Sequence, residues 1–133
     1  MHPAIYDRTL ITMAVRRTQS APFDAILLIG FGGPRCRDDI RPFLQNVLRG
    51  RAIPPARFEE AVHQYELFDG VSPLTDITRR QADGLRARLT AGGQPLPVYV
   101  GMRNWHPFLA DTLADMASAD IHRALGLTLA AQH

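Results

Sequence analysis

Residues 25–34 read Ala-Ile-Leu-Leu-Ile-Gly-Phe-Gly-Gly-Pro. An unbroken run of five aliphatic residues that ends at a glycine is typical of a strand buried on both faces. Such strands lie at the centre of parallel sheets, whereas strands with one wet face alternate apolar and polar residues. We therefore predict that residues 25–29 form a central parallel strand, and that the glycines after it make a turn at its carboxyl end.

Three helices are predicted between this strand and the next one, because side chains recur at spacings of three and four. The first helix begins near Asp38 and Asp39, whose charges suit its positive end, and it tolerates Pro42 only in its first turn. Gly70 ends the second helix, and Gly92 ends the third. The stripes are, in chain order, Ile40, Phe43, Leu44, Val47 and Leu48; Phe58, Ala61, Val62, Tyr65 and Phe68; and Leu74, Ile77, Gln81, Leu85 and Leu89.

Two further strands are predicted at residues 97–100 and 124–130, on either side of a helix over residues 107–116. Strands joined through helices form parallel open sheets with right-handed crossovers. The predicted fold class is therefore α/β, with a Rossmann-like open parallel sheet and flanking helices. The side chains expected to face inward from the last helix are Phe108, Leu109, Leu113 and Met116.

The composition indicates one globular domain without a disulfide or a membrane span. A chain of 133 residues, of which 21% are charged, can bury a core. Its single cysteine, Cys36, excludes an intramolecular disulfide and a cysteine-rich metal site, as in a reducing cytosol. No apolar run approaches membrane-spanning length, so we expect a cytoplasmic protein without a transmembrane segment. Its arginines are scattered along the chain, so nucleic acid is not an expected partner.

Two loops are predicted to meet at one edge of the sheet, where ligands gather in open α/β folds. Residues 30–34 follow the first strand, residues 101–107 follow the second, and Ser72, at the start of a helix, can face the same edge. The turn lacks the G-x-G-x-x-G spacing of nucleotide sites, whereas Phe31, held between glycines, suits packing on a flat apolar ligand. A tight turn with close backbone passage is the alternative role of the glycines.

Each candidate at this edge also has a structural alternative. Ser72 can cap a helix by accepting a hydrogen bond from a backbone amide near Thr75. Arg103 is either a surface arginine or a clamp for a carboxylate, which the fork of a guanidinium fits. Met102 is expected to form a soft pocket wall, and His106, which has no partner at metal-ligand spacing, is expected to be structural.

Three motifs occur in order along the chain: Gly30-Phe31-Gly32-Gly33-Pro34, Val71-Ser72-Pro73-Leu74, and Gly101-Met102-Arg103 with Trp105-His106-Pro107. In combination and spacing they resemble the amino-terminal half of ferrochelatases, which insert ferrous iron into a porphyrin in haem biosynthesis. The chain is most similar to the bacterial branch of that family, which uses coproporphyrin III.

The resemblance implies a ferrochelatase, a lyase that inserts Fe2+ into coproporphyrin III or protoporphyrin IX. It implies no permanently bound cofactor, because iron and the porphyrin are substrates. The family's catalytic histidine and glutamate lie in its carboxyl-terminal half, so the resemblance implies no catalytic residue or metal ligand in this chain. The chain is then either a truncated amino-terminal half that is inactive alone or the partner of a separately encoded carboxyl-terminal half. The porphyrin-binding residues that it implies are Phe31, Arg49, Arg51, Ser72, Met102 and Arg103.

The chain departs from the family pattern at two positions. Phe31 stands where some members have a tyrosine that ligates iron, so stacking on the ring is expected here without axial ligation. Asp69 replaces the first of two glycines, and its negative charge is expected to weaken local anion binding. Two other functions stay open, namely a porphyrin-binding module without chelatase activity and a fragment without function whose sheet has an uncovered edge.

The resemblance also sets the expected domain limits. We assign residues 24–133 to a partial amino-terminal ferrochelatase-like α/β domain that lacks the carboxyl-terminal half of the family fold. Residues 1–23 form a predicted amino-terminal extension, which is disordered or lies partly upstream of a true start at Met13.

Overall fold

The computed structural model describes residues 22–129 and contains, within that range, three β-strands and four α-helices. In chain order they are β1 (Ala25–Gly30), α1 (Arg37–Leu48), α2 (Pro55–Glu66), α3 (Leu74–Ala91), β2 (Val98–Met102), α4 (Leu109–Ser118) and β3 (Ala124–Thr128). The predicted start at Met13 and most of the predicted extension lie outside the described residues. No helix between residues 22 and 129 has the length and apolar character needed to cross a membrane.

The three strands form one parallel sheet in the order β2-β1-β3, with β1 at its centre. Ile26 of β1 is level with Val98 of β2 on one side and with Leu125 of β3 on the other. The first four residues of β1 are buried, as expected for a strand covered on both faces. The prediction of an α/β fold with an open parallel sheet is therefore confirmed.

Helices cover both faces of the sheet. On one face Leu28 belongs to a buried cluster with Ala82 of α3, and on the other face Leu27 belongs to a cluster with Met116 of α4. The remaining helices, α1 and α2, pack on each other, and Phe43 of α1 is fully buried. The sheet is thus held between α3 and α4, while α1 and α2 form a helical pair beside it.

α1 begins at Arg37, so Pro42 lies in its second turn and the prediction that it lies in the first turn is wrong. Proline lacks the N–H that would bond to the carbonyl four residues earlier, so the helix loses one backbone hydrogen bond. Two observations support the earlier start of the helix. The Asp39 carboxylate accepts a hydrogen bond from the Arg35 N–H at 2.9 Å, and Ile40 is buried.

Four side chains on the predicted inward-facing stripes are exposed, namely Phe68, Leu113, Ile77 and Gln81; the buried residues of α3 are instead Thr75, Thr78 and Ala82. Phe68 lies beyond the end of α2 and is 72% exposed. Leu113 of α4 is 48% exposed, and Thr112 takes the inward position, where its hydroxyl donates to the Val100 carbonyl at 2.8 Å. Gly101 of β2 lies close to Thr112, so the interface between β2 and α4 has room for this small side chain. The periodicity had suggested Leu113 as the inward residue.

β3 is an edge strand within the described residues, and its leucines are only partly covered. Leu125, Leu127 and Leu129 alternate onto the face that carries Leu28, and they are 38–41% exposed. α3 packs mainly on β2 and β1, so it covers less of this end of the sheet. Parallel strands are ordinarily covered on both faces, and this face of β3 is therefore suited to further packing.

Asp24 fastens the start of β1 to the segment before β3. Its carboxylate accepts hydrogen bonds from the backbone N–H groups of His122 at 2.9 Å and Arg123 at 3.1 Å, and these bonds lower its pKa. Because the folded-state pKa lies below the unfolded value, the charged group stabilises the fold above about pH 4, and this contribution is lost as the pH falls through the folded pKa.

We therefore expect Asp24→Ala to lower the melting temperature at pH 7, and to lower it progressively less as the pH falls below about 4. The measurement is thermal unfolding of the two proteins by circular dichroism between neutral and acid pH. A difference in melting temperature that stays constant over this range would contradict the contribution assigned to the Asp24 carboxylate.

Candidate functional site

The loops that follow β1 and β2 lie side by side, as the topology predicts. The backbone N–H of Arg103 donates to the carbonyl of Gly30 at 2.9 Å, and the N–H of Asn104 donates to the carbonyl of Phe31 at 3.1 Å. We use the term rim for this edge, which comprises residues 30–34, Ser72 and residues 103–107. These backbone bonds give the rim a defined geometry that does not depend on exposed side chains.

Ser72 connects the amino-terminal end of α3 to the glycine turn. Its N–H donates to the Pro34 carbonyl at 2.9 Å, and its hydroxyl accepts a hydrogen bond from the Leu74 N–H at 3.3 Å. The bonded amide is thus that of Leu74, one residue before the position expected from the sequence. A Cβ on Gly33 would lie 2.5 Å from the Ser72 oxygen, so glycine is needed there for the hydroxyl to lie against the turn.

Phe31 rests on the helical pair through a chain of aromatic contacts. Its half-buried ring meets Phe43 edge to face at a centroid distance of 6.1 Å, and Phe43 meets Tyr65 at 5.7 Å. Burial raises the pKa of Tyr65, so its phenol stays neutral near neutral pH. The rim position of Phe31 is therefore supported by the core between α1 and α2.

Met102 lies beneath the rim. Its side chain is fully buried, and its sulfur packs so closely on Gly30 that a Cβ there would be 2.7 Å away. In this structure Met102 supports the glycine turn from below. Its predicted role as a wall of a porphyrin pocket stays a prediction, and binding would have to expose part of its surface.

The three arginines predicted to bind an anionic ligand are exposed, and one of them bonds to the backbone of another. The Arg49 guanidinium donates to the carbonyl of Arg103 at 3.4 Å, while the Arg51 side chain donates to the carbonyl of Leu48 at 3.2 Å. Within residues 22–129, none of the three forms an ion pair with a carboxylate. Exposed guanidinium groups that lack an acidic partner suit a ligand that carries carboxylates.

Asp39 contributes to the rim, although the sequence pattern pointed only to a helix start. One of its carboxylate oxygens accepts hydrogen bonds from the Trp105 indole N–H at 3.0 Å and from the Arg35 backbone N–H at 2.9 Å. Burial opposes ionisation of Asp39, but hydrogen bonds from Arg35, Cys36 and Trp105 outweigh it and hold its pKa below the ordinary value. Asp39 is therefore a carboxylate at neutral pH.

Two asparagines complete the contact between α1 and the loop after β2. The buried Asn104 side chain donates to the Phe31 carbonyl at 3.3 Å, and Asn46 of α1 donates to the Asn104 carbonyl at 3.0 Å. Neither asparagine was predicted from the sequence to be a site residue. The only local signal was that Asn46 stands seven positions after Asp39, on the same side of a helix.

The aromatic residues after β2 pack on one another. Trp105, His106 and Phe108 form edge-to-face contacts with centroid distances of 4.5–5.9 Å. Among the described residues, no group of three or more His, Cys, Asp or Glu side chains is arranged to hold a metal ion. His106 lies in an aromatic cluster with Trp105 and Phe108, and its expected structural role stays a prediction.

A separate cavity of about 440 Å³ lies along the outer edge of β2, between α3 and α4. Arg79, Asp83, Arg86, Tyr99 and Asp115 are among the residues that line it, and none of the six predicted porphyrin-binding residues does. The Arg86 guanidinium also donates to the Val98 carbonyl at 2.7 Å, which satisfies part of the exposed strand edge. This cavity meets the rim only at Pro107.

Comparison with known proteins identifies the same family over most of the chain. The ferrochelatase family model matches residues 23–133. The coproporphyrin III ferrochelatase of Mycobacteroides abscessus is 49% identical over 109 residues, which are 82% of this chain and 32% of the relative. That of Streptomyces coelicolor is 48% identical over 112 residues, which are 84% of this chain and 30% of the relative.

A ferrochelatase of Rhodopirellula baltica is 45% identical over 104 residues, which are 78% of this chain and 30% of the relative. The chain thus spans about a third of the length of the curated relatives that it matches. The matched region includes β1 and the whole of the rim, that is, the glycine turn, Ser72 and the loop after β2.

Proposed function

Because the chain belongs to the ferrochelatase family of haem biosynthesis, we propose that its rim binds the porphyrin substrate of a ferrochelatase, and that this substrate is coproporphyrin III. The observation that carries the proposal is that Phe31 and Arg103 follow β1 and β2 at one edge of the sheet, where the Arg49 guanidinium bonds to the Arg103 carbonyl. A porphyrin is a flat apolar ring with carboxylate side chains, so it requires both kinds of contact.

The residues of the rim, and Arg49, Arg51 and Met102 next to it, have different roles in this proposal. Phe31 packs on the macrocycle, and Arg103, together with Arg49, binds propionates through charge-assisted hydrogen bonds. Ser72 presents a hydroxyl to a further propionate, and Arg51 adds positive charge at the end of α1. Met102 provides a soft apolar surface when the glycine turn adjusts to the ring.

In the reaction of the family, Fe2+ enters the ring and two pyrrole N–H protons leave, so the products are the metalloporphyrin and two protons. None of the six proposed porphyrin-binding residues is a base that would accept these protons near neutral pH. We propose that the carboxyl-terminal part of the ferrochelatase fold provides, in the cytoplasm, the proton acceptor and the groups that approach the iron. The contribution of this chain is to bind and orient the ring.

The experiment is an absorbance titration of the purified chain with coproporphyrin III, with protoporphyrin IX as the comparison, followed by anaerobic addition of Fe2+. We expect a saturable Soret shift that is stronger for coproporphyrin III, and no metallation above the protein-free rate. No Soret shift with either porphyrin would contradict the proposal. Metallation above the control rate would contradict the assignment of proton acceptance to another part of the fold.

Arg103→Ala is expected to weaken coproporphyrin III affinity roughly tenfold, which is the loss of one charge-assisted hydrogen bond. The backbone bonds of Arg103 stay in place, so the fold is expected to be unchanged. The matched control is Arg88→Ala, which removes the same charge from the last turn of α3, at the end away from Ser72. Equal losses of affinity in the Soret titrations of the two variants would contradict a specific clamp.

A further inference from the structure

Two polar side chains on one face of α1, and Arg49 directly after the helix, bond to the loop that follows β2. Asp39 and Asn46 are seven positions apart, which places them on the same side of α1, whereas Arg49 is the left-handed residue that ends it. Asn46 donates to the carbonyl of Asn104, and Arg49 donates to the carbonyl of Arg103. Both act on the backbone, whereas Asp39 bonds to a side chain, the indole of Trp105.

Asp39 also reaches the other half of the rim. The oxygen that accepts from the Trp105 indole at 3.0 Å accepts from the backbone N–H of Arg35 at 2.9 Å, directly after the glycine turn. A single oxygen atom therefore joins the end of the turn after β1, the first turn of α1 and the loop after β2. The Asn104 side chain also joins the two loops, but it does so from within the loop after β2, whereas Asp39 acts from α1.

N–H donors, rather than a cation, satisfy the charge of Asp39. Between residues 22 and 129 no arginine or histidine forms an ion pair with it. Asp39 and the Trp105 side chain are both half-buried, and a charged acceptor binds an N–H more strongly there than in water. The bond is thus strong enough to hold the indole in one orientation.

We propose that Asp39 is a positioning residue for porphyrin binding, which fixes Trp105 and thereby sets where Arg103 presents its guanidinium on the rim. The proposal rests on the proposed function of the rim. The backbone bonds from Arg103 and Asn104 to β1 hold the start of the loop, and Asp39 holds the loop at Trp105, two residues after Arg103. Asn46 and Arg49 bond only to the carbonyls of Asn104 and Arg103, so without the bond at Trp105 the loop loses its attachment beyond Asn104, and Arg103 occupies a wider range of positions and binds a propionate less tightly.

The test compares Asp39→Ala, Asp39→Asn and Asp38→Ala with the unaltered chain. Asp39→Asn keeps an oxygen that can accept from both N–H groups, and Asp38→Ala removes a neighbouring exposed charge in the same helical turn. The chain has one tryptophan, so the indole emission and the indole N–H resonance in proton–nitrogen NMR spectra report on Trp105 alone. Coproporphyrin III affinity is measured in parallel from the Soret shift.

We expect Asp39→Ala to move the indole resonance and to weaken coproporphyrin III binding roughly fivefold. Asp39→Asn, which keeps the acceptor oxygen without the charge, is expected to lose less, and Asp38→Ala is expected to stay within about twofold. A double-mutant cycle with Trp105→Phe, which keeps an aromatic ring without the N–H, is expected to be non-additive. If Trp105→Phe weakens the affinity, and adding Asp39→Ala to that variant weakens it no further, the effect of Asp39 acts through its hydrogen bond to the Trp105 indole.

The outcomes separate this proposal from the proposed function. Normal binding by Asp39→Ala, with a shifted indole resonance, would overturn the positioning role and leave porphyrin binding intact. Equal losses in Asp39→Ala and Asp38→Ala would also overturn it, because they would reflect only the charge at the start of α1. Failure of the unaltered chain to bind either porphyrin would overturn the proposed function, and the positioning role with it.

Discussion

Phe43→Ala is expected to lower the free energy of unfolding by about 3–5 kcal/mol, the loss that follows when a buried phenylalanine is cut back to alanine. Phe43 is fully buried, and it contacts Phe31 on the rim and Tyr65 on α2. A domain of this size has a total stability of about 5–15 kcal/mol, so the variant is expected to be close to unfolding at room temperature.

The measurement is urea denaturation followed by circular dichroism, and the matched control is Phe68→Ala. Phe68 is 72% exposed beyond the end of α2, so the same substitution there is expected to change stability by no more than about 0.5 kcal/mol. Comparable losses in the two variants would contradict the assignment of Phe43 to the core. So would a loss below about 1 kcal/mol in Phe43→Ala, because it would imply that the cavity collapses at little cost.

The same substitution tests whether the core supports the site. Phe31 rests on Phe43, and removal of that support is expected to weaken coproporphyrin III binding even at temperatures where the variant stays folded. Phe43→Leu restores most of the lost volume, so it is expected to recover more of the stability than of the porphyrin affinity. An aliphatic side chain cannot reproduce the edge-to-face contact with Phe31.

The sheet and the position of the rim were predictable because each depends on a local pattern. The aliphatic run at residues 25–29 is continuous, which distinguishes a central parallel strand from an edge strand with one wet face. Once the strands were parallel, their carboxyl ends had to share one edge. The hydrogen bonds from Arg103 to Gly30 and from Asn104 to Phe31 join the two loops at that edge.

The polar contacts behind the rim could not be predicted in the same way. The spacing of Asp39 and Asn46 places them on one face of a helix, but the sequence does not reveal that this face lies against the loop after β2. The hydrogen-bond partners of these side chains depend on how α1 packs against the rest of the fold, which local spacing in the sequence does not determine. Pro42 was misplaced for the same reason, since burial of Ile40 and the bond from Arg35 to Asp39 support an earlier helix start.

Side-chain burial was least predictable where the backbone comes unusually close. Periodicity favoured Leu113 over Thr112 as the inward residue of α4, because leucine is the more apolar of the two. Gly101 brings β2 so close to α4 that a Cβ there would lie 2.8 Å from Leu109 and 3.4 Å from Thr112. The small threonine fits this space, and its hydroxyl bonds to the carbonyl of Val100.

Gly70→Ala is expected to lower the free energy of unfolding by about 3 kcal/mol, through two separate costs. Gly70 has a φ of +73°, a region in which an alanine costs about 1 kcal/mol relative to glycine. In addition, a Cβ there would lie 2.6 Å from the Cys36 carbonyl oxygen and 2.8 Å from the Arg37 nitrogen. Both are backbone atoms at the start of α1, so they cannot move away as a flexible side chain can.

Gly50→Ala is the control that separates the two costs. Gly50 has a φ of +82°, and no atom lies within 4 Å of the position that its Cβ would take, so only the backbone term of about 1 kcal/mol applies. The difference between the two variants in urea denaturation therefore measures the clash with α1. Equal losses would mean that α1 shifts freely. In that case the start of α1, including Asp39, would not be held firmly enough to position Trp105.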